Sequence, residues 1–352
     1  MERKVSEVKY SFIVPVFNRP DEVDELLESL CSQTQKDFEV VIVEDGSQKP
    51  CKDVCDKYAS ILDLHYYYKD NSGPGQSRNY GVERAQGDYV VILDSDVVLP
   101  TGFLQAVDAS LSTLHASQGA ETVAWGGPDA AHPSFTPVQK AISYSMTSFF
   151  TTGGIRGGKA KLDKFYPRSF NMGIRRDVYL ALGGFSKMRF GEDIDFSYRI
   201  VEAGYKPRLF PEAWVWHKRR TDFRKFFRQV YNSGIARINL EKRHPGTLKL
   251  VHLLPMVFTL GVIGCLLFAL LALLTPYACL LTPLFLLPLV LYSILILIDS
   301  SFKNKSLWVG MLSVPAAFVQ LMGYGLGFIK SWWKRCVLKQ DEFTAFEKNF
   351  YK

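Results

Sequence analysis

Two acidic clusters sit directly after the most apolar stretches in the first hundred residues of the chain. Phe38–Val43 (FEVVIV) runs into Glu44-Asp45-Gly46-Ser47, and Tyr89–Leu93 (YVVIL) runs into Asp94-Ser95-Asp96. Gathered carboxylates repel one another unless a cation or hydrogen-bond donors neutralise them. Asp94 and Asp96, one residue apart, suit a hard divalent ion that also grips phosphate oxygens. A solvated turn accounts for one such cluster, since Asp and Ser are ordinary turn residues. Two of them, each closing a buried strand, point to a ligand site. A third acidic group, Glu192-Asp193 in GEDIDFSYRI, opens a helical pattern, where acids also favour the first turn of a helix; Asp195 reads as structural.

The elements that must carry these groups alternate. Tyr10–Val16 is strand-like, Asp21–Cys31 is helical with Asp21 as its cap, and Phe38–Val43 is an apolar run of the buried-parallel type. Helical Lys52–Ala59, strand-like Leu64–Tyr68, helical Gln76–Ala85 and the strand Tyr89–Leu93 follow. This βαβα order predicts a doubly wound α/β sheet, which binds ligands at the carboxyl ends of its strands, near the point where strand order reverses. Gly73, Gly75 and Gly81 do not make a G-x-G-x-x-G, because Arg78 holds the third glycine place, and a dinucleotide site is disfavoured. The basic, glycine-rich Gly153–Lys164 reads as a lid or as a plain loop.

The second half changes character. Leu250–Ile298 contains no Asp, Glu, Lys or Arg, and neither does Ser306–Ile329. A helix needs about 20 apolar residues to cross a bilayer. The first run would measure about 74 Å as one helix, so it must fold back, with Thr275-Pro276 as the turn. Segments at 250–274, 277–298 and 307–329 are therefore expected in the membrane. The net charge is +7, and residues 217–249 alone carry ten Lys/Arg against Asp222 and Glu241. A basic stretch beside a membrane run marks the cytoplasmic side and attracts anionic lipids; no nucleic-acid motif accompanies it. Phe223, Phe226, Phe227 and Val230 recur among these charges at roughly helical spacing, as in an interfacial helix or one packed on the soluble domain. Met1–Lys9 shows no signal-peptide pattern, and six scattered cysteines form no disulfide framework. The soluble part is thus expected to be cytoplasmic, on a multi-pass protein of the cell (inner) membrane. Three full crossings would put the basic tail (Lys330, Lys334, Arg335, Lys339) outside, against the charge rule. Either the third segment is re-entrant, with breaks at Pro315 and Gly323, or the rule fails.

Across residues 9–237 the chain resembles glycosyltransferase family 2, inverting enzymes with the GT-A fold, a Rossmann-like mixed sheet flanked by helices. The resemblance is carried by SFIVPVFNRP, VVIVEDGS, GPGQSRNYG, VVILDSD, GGF with GEDIDFSYRI, and GYKP with WVWH, in that order. It implies a nucleotide-diphosphate sugar donor. Asp45 would contact the base or ribose, with Glu44 where a second Asp is commoner, and Arg78 would help bind nucleotide or phosphates. Asp94 and Asp96 resemble the DxD element that holds Mg2+ or Mn2+ on the diphosphate, and His217 resembles a histidine that contacts metal or diphosphate. Asp193 would be the general base, with a pKa raised by partial desolvation, and Glu192 would orient the site. The Q-x-x-R-W motif of processive members is missing from RKFFRQVYNSG, which implies transfer of single sugars. The expected layout is a catalytic domain (1–216), a basic linker or amphipathic helix (217–249), a membrane region (250–329) and a polar tail (330–352). The expected acceptor is a lipid-linked or other glycan, with membrane lipids and no nucleic acid as partners. Transfer onto polyprenyl phosphate and a non-catalytic membrane scaffold are the rival readings.

Overall fold

A computed structural model describes residues 9–118, 122–132, 134–153 and 165–342. Nearly all of the segment expected as a lid, Gly153–Lys164, lies outside them. Two compact units result, one from residues 9–132 and 165–218, the other from 134–153 and 219–342. In chain order the elements begin with β1 (Tyr10–Val16), α1 (Pro20–Cys31), β2 (Phe38–Asp45), α2 (Lys52–Tyr58), β3 (Asp63–Lys69), α3 (Pro74–Arg84), β4 (Tyr89–Leu93), β5 (Val97–Val98) and α4 (Phe103–Gln118). Next come β6 (Ala124–Gly126), β7 (Asp129–Ala130), α5 (Pro137–Thr147), α6 (Phe149–Thr152), β8 (Asn171–Arg175), α7 (Arg176–Ala181), α8 (Glu192–Glu202), β9 (Arg208–Leu209) and β10 (Val215–His217). Four long helices close the described chain: α9 (Phe223–Arg243), α10 (Leu254–Ala272), α11 (Ala278–Asn304) and α12 (Leu307–Trp332).

The first unit is built on a seven-stranded sheet of order β3-β2-β1-β4-β8-β6-β9. β3, β2, β1 and β4 are parallel, whereas β8 runs antiparallel to both β4 and β6. Every residue of β1, β2 and β4 is buried, which is why these strands are mostly apolar instead of alternating, with the buried Glu39 of β2 accepting from the Ser11 hydroxyl of β1 at 2.6 Å. β1, β2 and β4 run parallel, so their carboxyl ends share one edge, and strand order reverses around β1. A second sheet, β5-β10-β7, is only three short strands wide. One helix boundary differs from expectation. α1 starts at Pro20, with Arg19 as its N-cap residue, so Asp21 sits in the first turn and not at the cap. Proline suits that first position because it has no N–H to leave unpaired and its φ is already helical.

The core beyond β4 depends on one fit. Trp125 on β6 is fully buried and stacks on Phe210, with ring centroids 5.5 Å apart. Its indole lies over Gly173 of β8, where a Cβ would collide with the ring.

In the second unit, α12 runs unbroken through Pro315 and Gly323, the two positions read as breaks. The chain turns between α10 and α11 at residues 273–277. Among the described residues, three helices in this unit are long and apolar enough to cross a membrane. Glycines set the close approaches among its helices. A Cβ at Gly234 of α9 would meet the Tyr324 carbonyl of α12, and one at Gly327 would meet the Tyr231 carbonyl of α9. Gly173→Ala should destabilise the first unit by about 1–3 kcal/mol through overpacking against Trp125. A thermal midpoint equal to that of the parent protein would contradict this packing.

Candidate active site

The small sheet exists to bring three polar side chains together. β5 follows Asp96 directly, and β10 pairs antiparallel with it, setting His217 opposite Val97. β7 pairs with β10 on the other side, Asp129 opposite Val215. The Lys218 amide also donates to the Asp96 carbonyl at 3.1 Å. As a result His217 Nε2 lies 3.2 Å from Asp96 Oδ1 and 4.0 Å from Asp94 Oδ2, while Nδ1 is 3.8 Å from Asp129 Oδ2. The imidazole stacks on Phe170, centroids 5.0 Å apart. Burial disfavours the charged ring, but Asp96, Asp129 and Asp94 together outweigh it and push the His217 pKa up to about 9. A second positive group, Arg19 from the turn between β1 and α1, reaches Asp96 Oδ2 at 3.2 Å.

Asp94, Asp96 and His217 each present a ligand atom within 4.8 Å of the others. Two carboxylates and an imidazole on one spot are a donor set that fits a small divalent ion such as Mg2+ or Mn2+. The imidazole would have to lose its proton on binding.

Asp45 and Glu44 are neighbours with different surroundings. The buried Asp45 carboxylate accepts from the amides of Ser72 (2.8 Å) and Gly73 (2.9 Å) and from Lys69 Nζ (2.7 Å). It therefore holds the loop that delivers α3. Glu44, grouped above with the donor-binding residues, is instead fully buried and bound elsewhere. Its oxygens accept from the Cys51 amide (2.7 Å), Tyr66 Oη (3.3 Å) and the Ser47 hydroxyl, fixing the turn before α2. Successive side chains on a strand point to opposite faces, so the two acids cannot both serve one cleft.

α3 carries Arg78 into the middle of the site. Its guanidinium, nearly fully buried, donates to Asp94 Oδ1 at 2.6 Å and to Glu192 Oε1 at 3.2 Å, and lies 5.2 Å from the Phe185 ring centroid. α3 can come this near α8 because position 75 is glycine: a Cβ there would lie 3.3 Å from both Glu192 and Phe185. Arg78, expected to face a nucleotide, thus bridges the acidic end of β4 to the start of α8. Asp193, next along α8, accepts from Arg168 Nε at 2.7 Å. The segment carrying Arg168 is pinned to α8 by Ser197 Oγ donating to the Pro167 carbonyl (2.6 Å) and by Tyr166 packing edge-on against Tyr198. Asp195 pairs with Arg199 (3.0 Å), which also donates to the Leu182 and Gly184 carbonyls, so it braces the GGF turn.

The two adjacent acids separate electrostatically. Burial, then the charge of Asp193, push Glu192 up to about 7 against the pull of Arg78. Burial also acts on Asp193, but Arg168 and Arg78 outweigh it and hold this carboxyl below its ordinary value. That reverses the expected rise at Asp193; the rise falls on Glu192. Arg19, Asp129 and Arg168 were not singled out in the sequence. Their only signal was position, beside a strand end or within a loop.

A mixed sheet of this order, with a carboxylate pair at the end of β4 and a second at the start of α8, defines the GT-A class of sugar-nucleotide folds. Comparison with known proteins agrees. The model for "Glycosyl transferase family 2" matches residues 11–179. A pre-mycofactocin glycosyltransferase of Mycobacterium tuberculosis is 28% identical over 248 residues, 66% of this chain and 47% of that protein. A cholesterol galactosyltransferase of Borreliella burgdorferi is 31% identical over 108 residues, 30% of each chain. An uncharacterized glycosyltransferase of Rickettsia felis is 38% identical over 90 residues, 26% of this chain and 15% of that protein. The chain thus spans less than half the length of each of these relatives. Among solved structures, the mannosyltransferase PcManGT from Pyrobaculum calidifontis, in complex with GDP-Man and Mn2+, superposes with a TM-score of 0.54 at 15% identity. That match covers 93% of this chain and 88% of that one. Residues 11–179, just under half of the chain, thus form a domain similar to glycosyl transferase family 2.

Glu192 gives this site a pH signature. Its pKa is raised in the fold from 4.5 to about 7, so the folded state binds more protons than the unfolded one between those values. Stability should fall as pH rises through that window. In Glu192→Gln this particular decline should vanish; midpoints that fall as steeply as in the parent would contradict the raised pKa.

Proposed function

We propose that the chain is an inverting, metal-dependent transferase that moves one sugar from a nucleotide-diphosphate sugar to an acceptor hydroxyl at a membrane surface. The observation that carries this reading is the linked set Asp96–His217–Asp94–Arg78–Glu192, with Asp193 beside it: a cation site joined to a carboxylate pair through one buried guanidinium. The GDP-Man and Mn2+ bound to the similarly folded mannosyltransferase support the same choice of donor class and ion.

Asp94, Asp96 and His217 would hold Mg2+ or Mn2+, which offsets charge developing on the leaving nucleoside diphosphate. Arg19, at the same edge, adds positive charge where phosphate oxygens would lie. Asp45 keeps the Lys69–Gly73 loop in place, and with it the approach of the nucleotide to α3. Asp193 accepts the acceptor's hydroxyl proton as the oxygen attacks the anomeric carbon. The bond from that carbon to the diphosphate breaks, and its electron pair leaves with the diphosphate. Glu192, held by Arg78, orients the pair.

One observation favours a second assignment. Glu192, with its pKa near 7, is the better matched proton acceptor at neutral pH, while Arg168 keeps Asp193 weakly basic. With Glu192 as base, activity should rise with pH through about 7, because the group must lose its proton to act. With Asp193 as base, activity should already be full at that pH.

The membrane helices support one acceptor class: a lipid-linked glycan under assembly on the cytoplasmic face of the cell membrane. A polyprenyl phosphate acceptor, already an anion, would need no base. The test offers the purified full chain a panel of nucleotide sugars with Mn2+ and both lipid-linked glycans and polyprenyl phosphate. Asp193→Asn should lower transfer to hydroxyl acceptors by a factor of about 10²–10⁴, the usual contribution of a general base. Asp96→Asn should abolish transfer to any acceptor. Transfer that survives Asp193→Asn but not Asp96→Asn would select the polyprenyl phosphate reading. No turnover or hydrolysis of any donor would leave a non-catalytic scaffold.

A further inference from the structure

The second unit does not expose its three long apolar helices equally. α10 and α11 form an antiparallel hairpin: Phe268 stacks on Phe285 (5.5 Å between centroids), Phe258 packs on Tyr292 (5.1 Å), and Thr282 Oγ1 donates to the Ala269 carbonyl at 3.4 Å. Toward its tip the hairpin is otherwise bare, while nearer its base α11 meets the first half of α12 through Ser300–Ser313 and Ile296–Ala317. Leu266, Leu270 and Leu274 on one arm and its tip, and Leu284, Leu287 and Leu291 on the other, are all exposed.

α12 is the opposite case. From Ala316 to Ile329 not one residue is exposed. Ala141 of α5 covers Ala316, and the first turns of α10 cross it at Leu321 and Gly325. The remaining side is taken by α9. Val230 of α9 meets Gly323, Tyr231 meets Gly327, Ser331 Oγ donates to the Ile235 carbonyl (3.1 Å), and Arg335 Nε donates to Asn239 (3.1 Å). These pairs advance in the same direction on both helices, so α9 lies parallel to the carboxyl-terminal part of α12. The outer face of α9 exposes Arg224, Lys225, Arg228, Lys242 and Arg243. Charged side chains facing hydrocarbon are strongly disfavoured, and only those near an interface escape by reaching the headgroups. Along Ala316–Ile329 a helix sheathed by such a partner has no lipid-facing belt, and the large apolar residues exposed ahead of that stretch are confined to the first turns, at Leu307, Trp308 and Met311.

We propose that this unit enters the hydrocarbon only with the α10–α11 hairpin, and that α12 lies with α9 at headgroup level. The tail after α12 then stays on the same side of the membrane as α9. α10, 19 residues and about 28 Å long, is close to one hydrocarbon thickness of about 30 Å. The basic face of α9 and the tail residues Lys330, Lys334 and Arg335 then meet one leaflet, where anionic headgroups attract them. The exposed Trp332 and Trp333 suit that same depth. Arg243 of α9 further ties the tail by pairing with Glu342 at 2.9 Å. This topology removes the conflict between a basic tail and the charge rule, because the chain returns to the side it left.

The proposal rests on the membrane reading above, and the two fail differently. The full chain is labelled in sealed cells and in sealed inverted vesicles with a membrane-impermeant maleimide, and labelled peptides are identified by mass spectrometry. Reporter thiols are the exposed native Cys336 in the tail and, separately, Ser233→Cys on the exposed face of α9. Both should be labelled in the same preparation and lose labelling in the other, while detergent makes both reactive in either. Labelling of the two thiols from opposite sides would overturn the proposal and make α12 a full crossing. Protein that washes out of the membrane at alkaline pH would overturn the membrane reading itself.

Discussion

A single buried guanidinium holds the acidic centre of the first unit together. Arg78 touches Asp94 at 2.6 Å and Glu192 at 3.2 Å, and little of it reaches solvent. Without it, the carboxylates at the end of β4 and at the start of α8 would face one another across a poorly solvated gap, and some would take up protons instead of staying charged. Its place is fixed at the amino-terminal end of α3. Asp45 clamps the loop ahead of the helix, and Gly75 lets the helix close on α8. Other positive groups play the same part at the margins, Arg19 toward Asp96 and Arg168 toward Asp193.

The sheet supplies the geometry that this balance needs. Parallel β1, β2 and β4 end on one edge, so chemistry placed after each strand converges without long loops. The three-stranded sheet adds His217 by pairing β10 to the strand that begins one residue after Asp96. Strand pleat also sorts the two acids after β2: Asp45 holds the loop before α3, and Glu44 is spent on the turn before α2. In the helical unit glycines do comparable work, letting α9 and α12 approach backbone to backbone.

Long elements were legible in the sequence because each carries a repeated signal. FEVVIV and YVVIL announced buried parallel strands, DEVDELLESLC a helix, and the uncharged runs after Leu250 apolar helices. The acidic clusters could be placed because they follow those strands directly. β5, β7, β9 and β10 have only two or three residues each, too few for any period to show. Arg19, Arg168 and Asp129 are single residues whose importance comes from neighbours distant along the chain. The pKa order of Glu192 and Asp193 was equally hidden, because it depends on Arg168, 25 residues away. Of the two readings of the third apolar segment, the one with breaks at Pro315 and Gly323 is not what α12 does, for a related reason. Proline ends a helix only when no packing supports it, and glycine in this helix marks contact with a neighbour, not a break.

In the function proposed, the carboxylates after β4 and the acids at the head of α8 work on one cation-bound sugar nucleotide. Calorimetric titration of the full chain with nucleotide sugars, with Mn2+ and with chelator, addresses it most directly. At least one donor should bind only with the ion present, and Asp96→Asn should abolish that binding. Binding of equal strength with and without the ion, unchanged in Asp96→Asn, would contradict the account.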